Sequence, residues 1–268
     1  MKSFFGKYRG KITSIRDSRQ LGRVRVAVPA IFGEGKSSWA MPCTPYAGKD
    51  IGLFTVPPVG SNVWVEFEAG DPDYPIWSGC FWGEGELPQQ NDQQADQQDQ
   101  IKFFKTDGIA CTLSNLEGNK GITLEVEKPV VERPLKMFFN ADGVEINNNN
   151  ETVVTITEAV IKLDNRSNST LTVAIDDIQL KEKSVEIKMT PSTIELIDRP
   201  STIKMTTSNI ELGNGASTQK IATGSVEIKN ATGKLNVSPA AVELNNGAAS
   251  VKLSPVSVNV NNGALEVI

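Results

Sequence analysis

The chain has 268 residues, of which 39% are hydrophobic and 22% charged, and its formal net charge is −5 at pH 7. This composition excludes a disordered chain, and no apolar run approaches the roughly 20 residues that a membrane helix requires. The first residues include no hydrophobic region of signal-peptide length, so we expect assembly in the cytoplasm.

Histidine is absent, which excludes Ser-His, Cys-His and His-zinc arrangements. Cys43, Cys80 and Cys111 have no metal-ligand spacing, and an odd number of cysteines without a signal peptide favours buried thiols. We therefore expect a protein that is not an enzyme, with no cofactor, catalytic residue or metal site.

The first eighty residues alternate short apolar runs with turn residues. The runs occupy residues 6–15, 21–29, 38–42, 52–57, 61–67 and 75–82. About five strands in this length predict a small closed barrel over residues 1–83. Within residues 23–26 and 63–67, alternation directs one set of side chains inward and the other outward.

Several of these segments resemble the OB-fold module of contractile-injection spike proteins, in the same order and with similar spacing. They are LGRVRV at 21–26, WAMPCTPYAG at 39–48, PPVGSNVWVEF at 57–67 and GDPDYPIWSG at 70–79. The family includes phage baseplate assembly protein V and the valine-glycine-repeat spikes of secretion systems. The resemblance covers residues 4–82. It implies an OB domain at the root of a trimeric β-helical needle, a separate baseplate hub protein at the OB end and a conical, PAAR-like tip protein at the other end.

The basic residues of the barrel permit a different interpretation. Residues 1–36 carry nine Lys or Arg, and OB folds often bind single-stranded nucleic acid through a basic groove with aromatic side chains. Arg23 and Arg25 alternate with valines but lack adjacent rings, so we expect no nucleic-acid partner. An OB-fold nucleic-acid-binding protein remains the alternative.

Two segments connect the barrel to the rest of the chain. Residues 84–100 are rich in Gln and Asp and too polar to form a core, which indicates a flexible linker. Residues 101–170 contain longer apolar runs and predict a β-rich collar or transition segment. Its last part, residues 144–163, is repeat-like but slips by a residue or two against the pattern that follows.

From residue 171 to residue 268 the chain keeps a sixteen-residue repeat with two three-residue strands in each period. One series has the form Ile194-Glu195-Leu196, and the other has the form Ile203-Lys204-Met205. Each triplet places two apolar side chains on one face and a polar one on the other. Rows of Glu beside rows of Lys form favourable cross-strand pairs, and Gly-Asn and Pro turns recur at the same period.

The repeat length indicates how many chains build the needle. One strand arrives about every eight residues, whereas a single-chain solenoid needs coils of roughly 20 or more. We therefore predict an all-β fold with an OB barrel followed by a trimeric β-helix or β-prism, and a single-chain sandwich or solenoid is the alternative. Whether the chains intertwine or meander is open. The predicted shaft core consists of Ile194, Leu196, Ile210, Leu212, Val226, Ile228, Val242, Leu244, Val258 and Val260.

One side chain departs from the apolar pattern. Gln219 occupies a position that is aliphatic in the other repeats. Either it meets its two symmetry mates in hydrogen-bonded contact, or it marks a local register defect.

Together these features predict a homotrimeric structural spike of a phage tail or phage-tail-like particle. It would pierce the target envelope when a sheath contracts and would contact the target membrane only transiently. A trimeric adhesin fibre is a further alternative. The repeat stops at an apolar end, where Leu265, Val267 and Ile268 are expected to dock the tip protein.

Overall fold

A computed structural model describes residues 2–88, 99–149 and 151–267 of the chain. The chain divides into two compact units, residues 1–91 and 92–268. Strands dominate both units, which confirms the predicted all-β class. None of the helices within the described ranges has the length and apolarity to cross a membrane.

The first unit is a five-stranded closed barrel. Its elements are β1 (Tyr8–Ser14), β2 (Val24–Ala27), α1 (Pro29–Phe32), β3 (Ser38–Pro42), the hairpin β4 (Ala47–Gly48) and β5 (Ile51–Gly52), β6 (Asn62–Phe67), a 3-10 turn (Glu68–Gly70) and β7 (Pro75–Cys80). The strands follow the order β1-β2-β3-β7-β6, and β6 pairs back onto β1. All pairings are antiparallel except that between β3 and β7. The predicted OB-type barrel is therefore confirmed, although the apolar run at 52–57 extends no strand beyond Gly52.

Alternating side chains fill the barrel. Val24 and Val26 of β2 and Val63 and Val65 of β6 are completely buried, as their period of two predicts. The remaining buried hydrophobic residues of this cluster are Ile12, Val28, Ala40, Phe67 and Trp77. The first unit thus has a closed core of its own.

The second unit is one antiparallel meander of twenty strands, in which each strand pairs with the next along the chain. The strands are β8 (Ile101–Thr106), β9 (Ile109–Ser114), β10 (Gly121–Val126), β11 (Leu135–Asn140), β12 (Gly143–Asn148), β13 (Thr152–Ile156), β14 (Val160–Asp164), β15 (Ser169–Ala174), β16 (Ile178–Glu182), β17 (Val185–Met189), β18 (Thr193–Asp198), β19 (Ser201–Thr206), β20 (Asn209–Asn214), β21 (Ser217–Ala222), β22 (Ser225–Asn230), β23 (Gly233–Val237), β24 (Val242–Asn246), β25 (Ala249–Leu253), β26 (Val258–Val260) and β27 (Leu265–Val267), with a 3-10 turn at Asn261–Gly263. The pairing crosses residue 170 without interruption.

Most strands of the repeat are longer than predicted. The apolar triplets are the centres of strands of five or six residues, such as β18 and β19. The prediction of three-residue strands was wrong because backbone pairing continues into the polar flanks. Thr193, for example, lies opposite Thr206, and Asp198 lies opposite Ser201.

The corners between these strands carry a feature that the sequence analysis missed. At four corners, sixteen residues or a multiple of sixteen apart, a hydroxyl accepts a hydrogen bond from the backbone N–H three residues later. The donor–acceptor pairs are Thr193 to Thr190 (3.0 Å), Asn209 to Thr206 (3.0 Å), Ala241 to Ser238 (3.3 Å) and Ser257 to Ser254 (3.0 Å). These are Ser/Thr turns, in which the side chain satisfies a turn donor. The available signal was the Ser or Thr before Pro191, Pro239 and Pro255.

Candidate assembly interface

Two apolar columns run along one face of the twenty-stranded sheet. Each strand contributes one residue to each column, and the residues of a column lie directly opposite one another on neighbouring strands. The first column contains Phe104, Cys111, Leu124, Met137, Ile146, Val154, Leu163, Leu171, Leu180, Ile187, Leu196, Ile203, Leu212, Gln219, Ile228, Leu235, Leu244, Val251, Val260 and Leu265. The second column contains Lys102, Leu113, Ile122, Phe139, Val144, Ile156, Ile161, Val173, Ile178, Met189, Ile194, Met205, Ile210, Ile221, Val226, Val237, Val242, Leu253, Val258 and Val267.

A polar row lies between the columns on the opposite face. Its charges alternate across strands, so that Glu195 lies opposite Lys188 and Lys204. Lys204 Nζ lies 2.5 Å from a carboxylate oxygen of Glu195. Farther along, Lys252 Nζ lies 2.9 Å from Glu243. The predicted cross-strand pairing of Glu and Lys rows is confirmed.

The ten predicted shaft-core residues all belong to the two columns, and none of them is buried in the single chain. Ile194 is 37% exposed, Leu212 38% and Leu244 48%, while Val226, Val242 and Val260 are half-buried. The only hydrophobic residues buried among those described in the second unit are Val153 and Ala241. A sheet of this size without a core of its own leaves a continuous apolar face to be covered.

Glutamates of the polar face are less exposed than several leucines of the apolar columns. The Glu195 and Glu227 side chains on the polar face are 23% and 25% exposed, whereas Leu196, Leu212 and Leu244 of the first column are 41%, 38% and 48% exposed. In the repeat strands β18 and β20, Ile194, Leu196, Ile210 and Leu212 are exposed, whereas the glutamates between them, Glu195 and Glu211, are half-buried. Water contact on the apolar face is unfavourable by about 25 cal/mol for each Å². The columns therefore have the character of an assembly surface.

Gln219 interrupts the first column without disturbing the pairing. It lies opposite Leu212 on one side and Ile228 on the other, and the register continues through β20, β21 and β22. The interpretation of Gln219 as a local register defect is therefore wrong.

In the first unit, the structure corrects the prediction that Arg23 lacks adjacent rings. Pairing of β2 with β3 brings Trp39 next to it, with the guanidinium 5.3 Å from the ring centre. Arg23 also binds Asp17, with Nη2 2.6 Å and Nε 3.1 Å from Oδ1. Both side chains are nearly buried, at 14% and 6% exposed. Alternation along one strand does not show which side chains of the neighbouring strand lie next to it.

Asp17 organises the loop before β2. Its carboxylate accepts hydrogen bonds from the backbone N–H groups of Arg19 (3.0 Å) and Leu21 (2.8 Å) as well as from Arg23. The Arg23 hydrogen bond, followed by these backbone donors, holds the pKa of Asp17 well below its usual range despite desolvation. The folded barrel therefore stabilises the ionised form of the Asp17 side chain.

We expect the Asp17 contacts to make the barrel acid-sensitive. Because the folded pKa is depressed, their contribution to stability is complete above the unfolded pKa of about 3.9 and is lost as pH falls below it. Thermal unfolding between pH 7 and 3, followed by fluorescence of the four tryptophans, all in the first unit, measures this effect. The melting temperature of Asp17→Asn should fall less at acidic pH than that of the exposed control Asp73→Asn. Parallel profiles for both variants would contradict the assignment.

The positions of the three cysteines differ in part from the prediction. Cys43 and Cys80 are exposed, so the prediction of buried thiols was wrong for these two, whereas Cys111 is half-buried in the first column. Cys43 and Cys80 lie at the ends of barrel strands, where the chain turns to the surface. No group of three metal-ligating side chains occurs within the described ranges.

The predicted tip residues are described only in part. Leu265 is 59% exposed, and Val267 pairs with Val258, but the side chain of Val267 and the whole of Ile268 lie outside the described residues. The greater part of the predicted linker, residues 89–98, also lies outside them. The tip assignment and the predicted domain boundaries remain predictions.

Two models of known protein families match parts of the chain. Residues 8–82 match the injector OB domain of type VI secretion systems and phage baseplates. Residues 217–266 match the C-terminal trimerisation domain of phage baseplate protein V. These two matches confirm the resemblance to spike proteins of the baseplate V and VgrG type.

A particular relative supports the same class. The type VI secretion system spike protein VgrG4b of Pseudomonas aeruginosa is 43% identical over 51 residues. The match covers 19% of this chain and 6% of the relative's length.

Proposed function

We propose that the chain is the structural central spike of a contractile injection baseplate and works as a homotrimer. The observation that carries this proposal is the continuous apolar face of a twenty-stranded sheet. That sheet includes the residues that match a trimerisation domain. Two further copies of the chain are the occupants of this face.

An arrangement of three copies of the chain around one axis fits the geometry of the repeat. Each strand offers two apolar side chains, and three such strands around an axis enclose a narrow aliphatic interior. The aromatic residues of the columns are Phe104 and Phe139, both before the sixteen-residue repeat, which fits an interior too thin for rings farther along.

The proposed role is mechanical. A cross-strand hydrogen-bond ladder runs through all twenty strands, and ion pairs such as Lys204–Glu195 lie on the outer face. Such a ladder gives stiffness along the shaft, which a needle requires when a sheath drives it into a target envelope. The spike contacts the target membrane only while it passes through.

Partners at the two ends complete the proposal. A baseplate hub protein binds at the OB end, and a conical tip protein binds at the end of the shaft that carries Leu265. The particle is a phage tail or a related injection machine, assembled in the cytoplasm. The similarity of residues 8–82 to an injector OB domain supports the first partner.

The alternatives have less support. Arg23 is held by Asp17 and is therefore unavailable to nucleic acid in the way that a binding groove requires. An adhesin fibre accounts for a trimeric shaft but not for the match to an injector OB domain.

Electron microscopy of the purified chain tests the proposed needle. Strands in a sheet are about 4.8 Å apart, so twenty strands should form a shaft of roughly 90 Å. Negatively stained particles should show a thin rod of that length. Rounded particles without a rod would contradict the proposal.

A further inference from the structure

The regularity of the shaft leaves the alignment of its chains underdetermined. A shift of sixteen residues moves one chain by two strands and replaces Leu212 by Leu196 or Ile228 in the same column. Aliphatic side chains still meet aliphatic side chains, and Glu still lies near Lys on the outer face. Apolar matching alone therefore distinguishes weakly between aligned and shifted chains.

Gln219 distinguishes the aligned arrangement of the chains from the shifted ones. In the first column from Leu124 to Leu265, and in the second from Leu113 to Val267, it is the only polar residue. Its carboxamide makes no hydrogen bond to any side chain or backbone group in the described part of its own chain. A carboxamide has two N–H donors and one oxygen acceptor, so it can both donate to and accept from an identical group.

Threefold symmetry brings three such groups together. In an aligned trimer, the same residue of each chain lies at the same height on the axis, so the Gln219 side chains share one layer. Each can donate to the oxygen of the next and close a ring of three hydrogen bonds. In a shifted trimer, each Gln219 faces Leu or Ile, and its polar atoms are buried without partners, which is costly.

We propose that Gln219 forms an inter-chain polar layer that fixes the axial register of the spike. The proposal rests on the homotrimer proposed above. Its partner is a second copy of the same segment, Ser217–Ala222, recognised by carboxamide self-pairing within an otherwise aliphatic column. Single buried polar residues specify register in coiled coils by the same physical argument.

Mixing two chains with displaced polar layers tests the proposal. The double variant Gln219→Leu/Leu235→Gln moves the layer by sixteen residues within the same column. Alone it should form trimers like the parent chain, because its own three layers still match. Refolded together with differently tagged parent chains, it should sort into separate trimers. A mixed trimer of aligned chains buries unmatched carboxamides in two layers, and a mixed trimer shifted by sixteen residues to match them leaves two strands uncovered at each end of the shaft.

The control is Leu235→Ile, which alters the same site without moving the layer. Random assortment of equal pools gives about three quarters mixed trimers, and a deficit measures the difference in affinity. We expect the control to mix with the parent at that level and the displaced variant to give at least about fivefold fewer mixed trimers, counted by sequential affinity capture.

Two results would overturn the register proposal. One is random mixing of the displaced variant with the parent chain. The other is failure of the displaced variant to form trimers alone while the parent does, since a matched layer should be accepted at either height. If the parent chain itself sediments as a monomer, the proposed trimer is wrong, which distinguishes that failure from the other two.

Discussion

Leu212→Asp or Leu244→Asp should prevent trimer assembly. Both leucines lie in the first apolar column, and three copies would place three carboxylates together on the axis. Burial of each ion costs several kcal/mol unless it is paired or neutralised. Size-exclusion chromatography with light scattering should show loss of the trimer for each variant.

The neighbouring glutamates provide matched controls on the same strands. Glu211 and Glu243 lie on the polar face, where Glu243 pairs with Lys252 at 2.9 Å. Exposed ion pairs contribute about 0 to 1 kcal/mol, so Glu211→Gln and Glu243→Gln should leave assembly nearly intact. If the Asp and Gln variants assembled equally well, the assignment of the two faces would be reversed.

Removal of residues 265–268 should abolish capture of a tip protein while the trimer persists. Leu265, which is 59% exposed, begins β27, the last strand of the chain, and β27 pairs with β26. An exposed apolar side chain on the last strand favours the addition of a partner. Pull-down of the tip protein by full-length and shortened chains measures the effect.

Glu266→Gln within the full-length chain serves as the control for this truncation, because it keeps the strand and removes one charge. Its capture of the tip protein should remain near the level of the parent chain. Undiminished capture by the shortened chain would place the docking site elsewhere.

The alternation of apolar and polar residues along single strands was sufficient to predict the main architecture. The alternation in residues 23–26 and 63–67 identified the barrel interior, and triplets such as Ile194-Glu195-Leu196 identified the two faces of the shaft. Side-chain direction in a strand depends on its own period of two, which the sequence displays directly.

Features that depend on neighbouring strands were not predictable in this way. Residues 144–163 appeared to slip against the repeat, yet Val154 and Leu163 continue the first column, because turns of different length absorb the offset. The contact of Arg23 with Trp39 likewise arises only when β2 pairs with β3. The position of Cys111 in the first column required the register of β9.

Sedimentation equilibrium of the purified chain over a range of concentrations tests the central claim most directly. One chain has a mass of 29.0 kDa, so three times 29.0 kDa predicts a single species of 87 kDa that resists dilution. A trimer is expected because the described shaft buries little of its apolar face within one chain. A stable, folded 29.0 kDa monomer would contradict it.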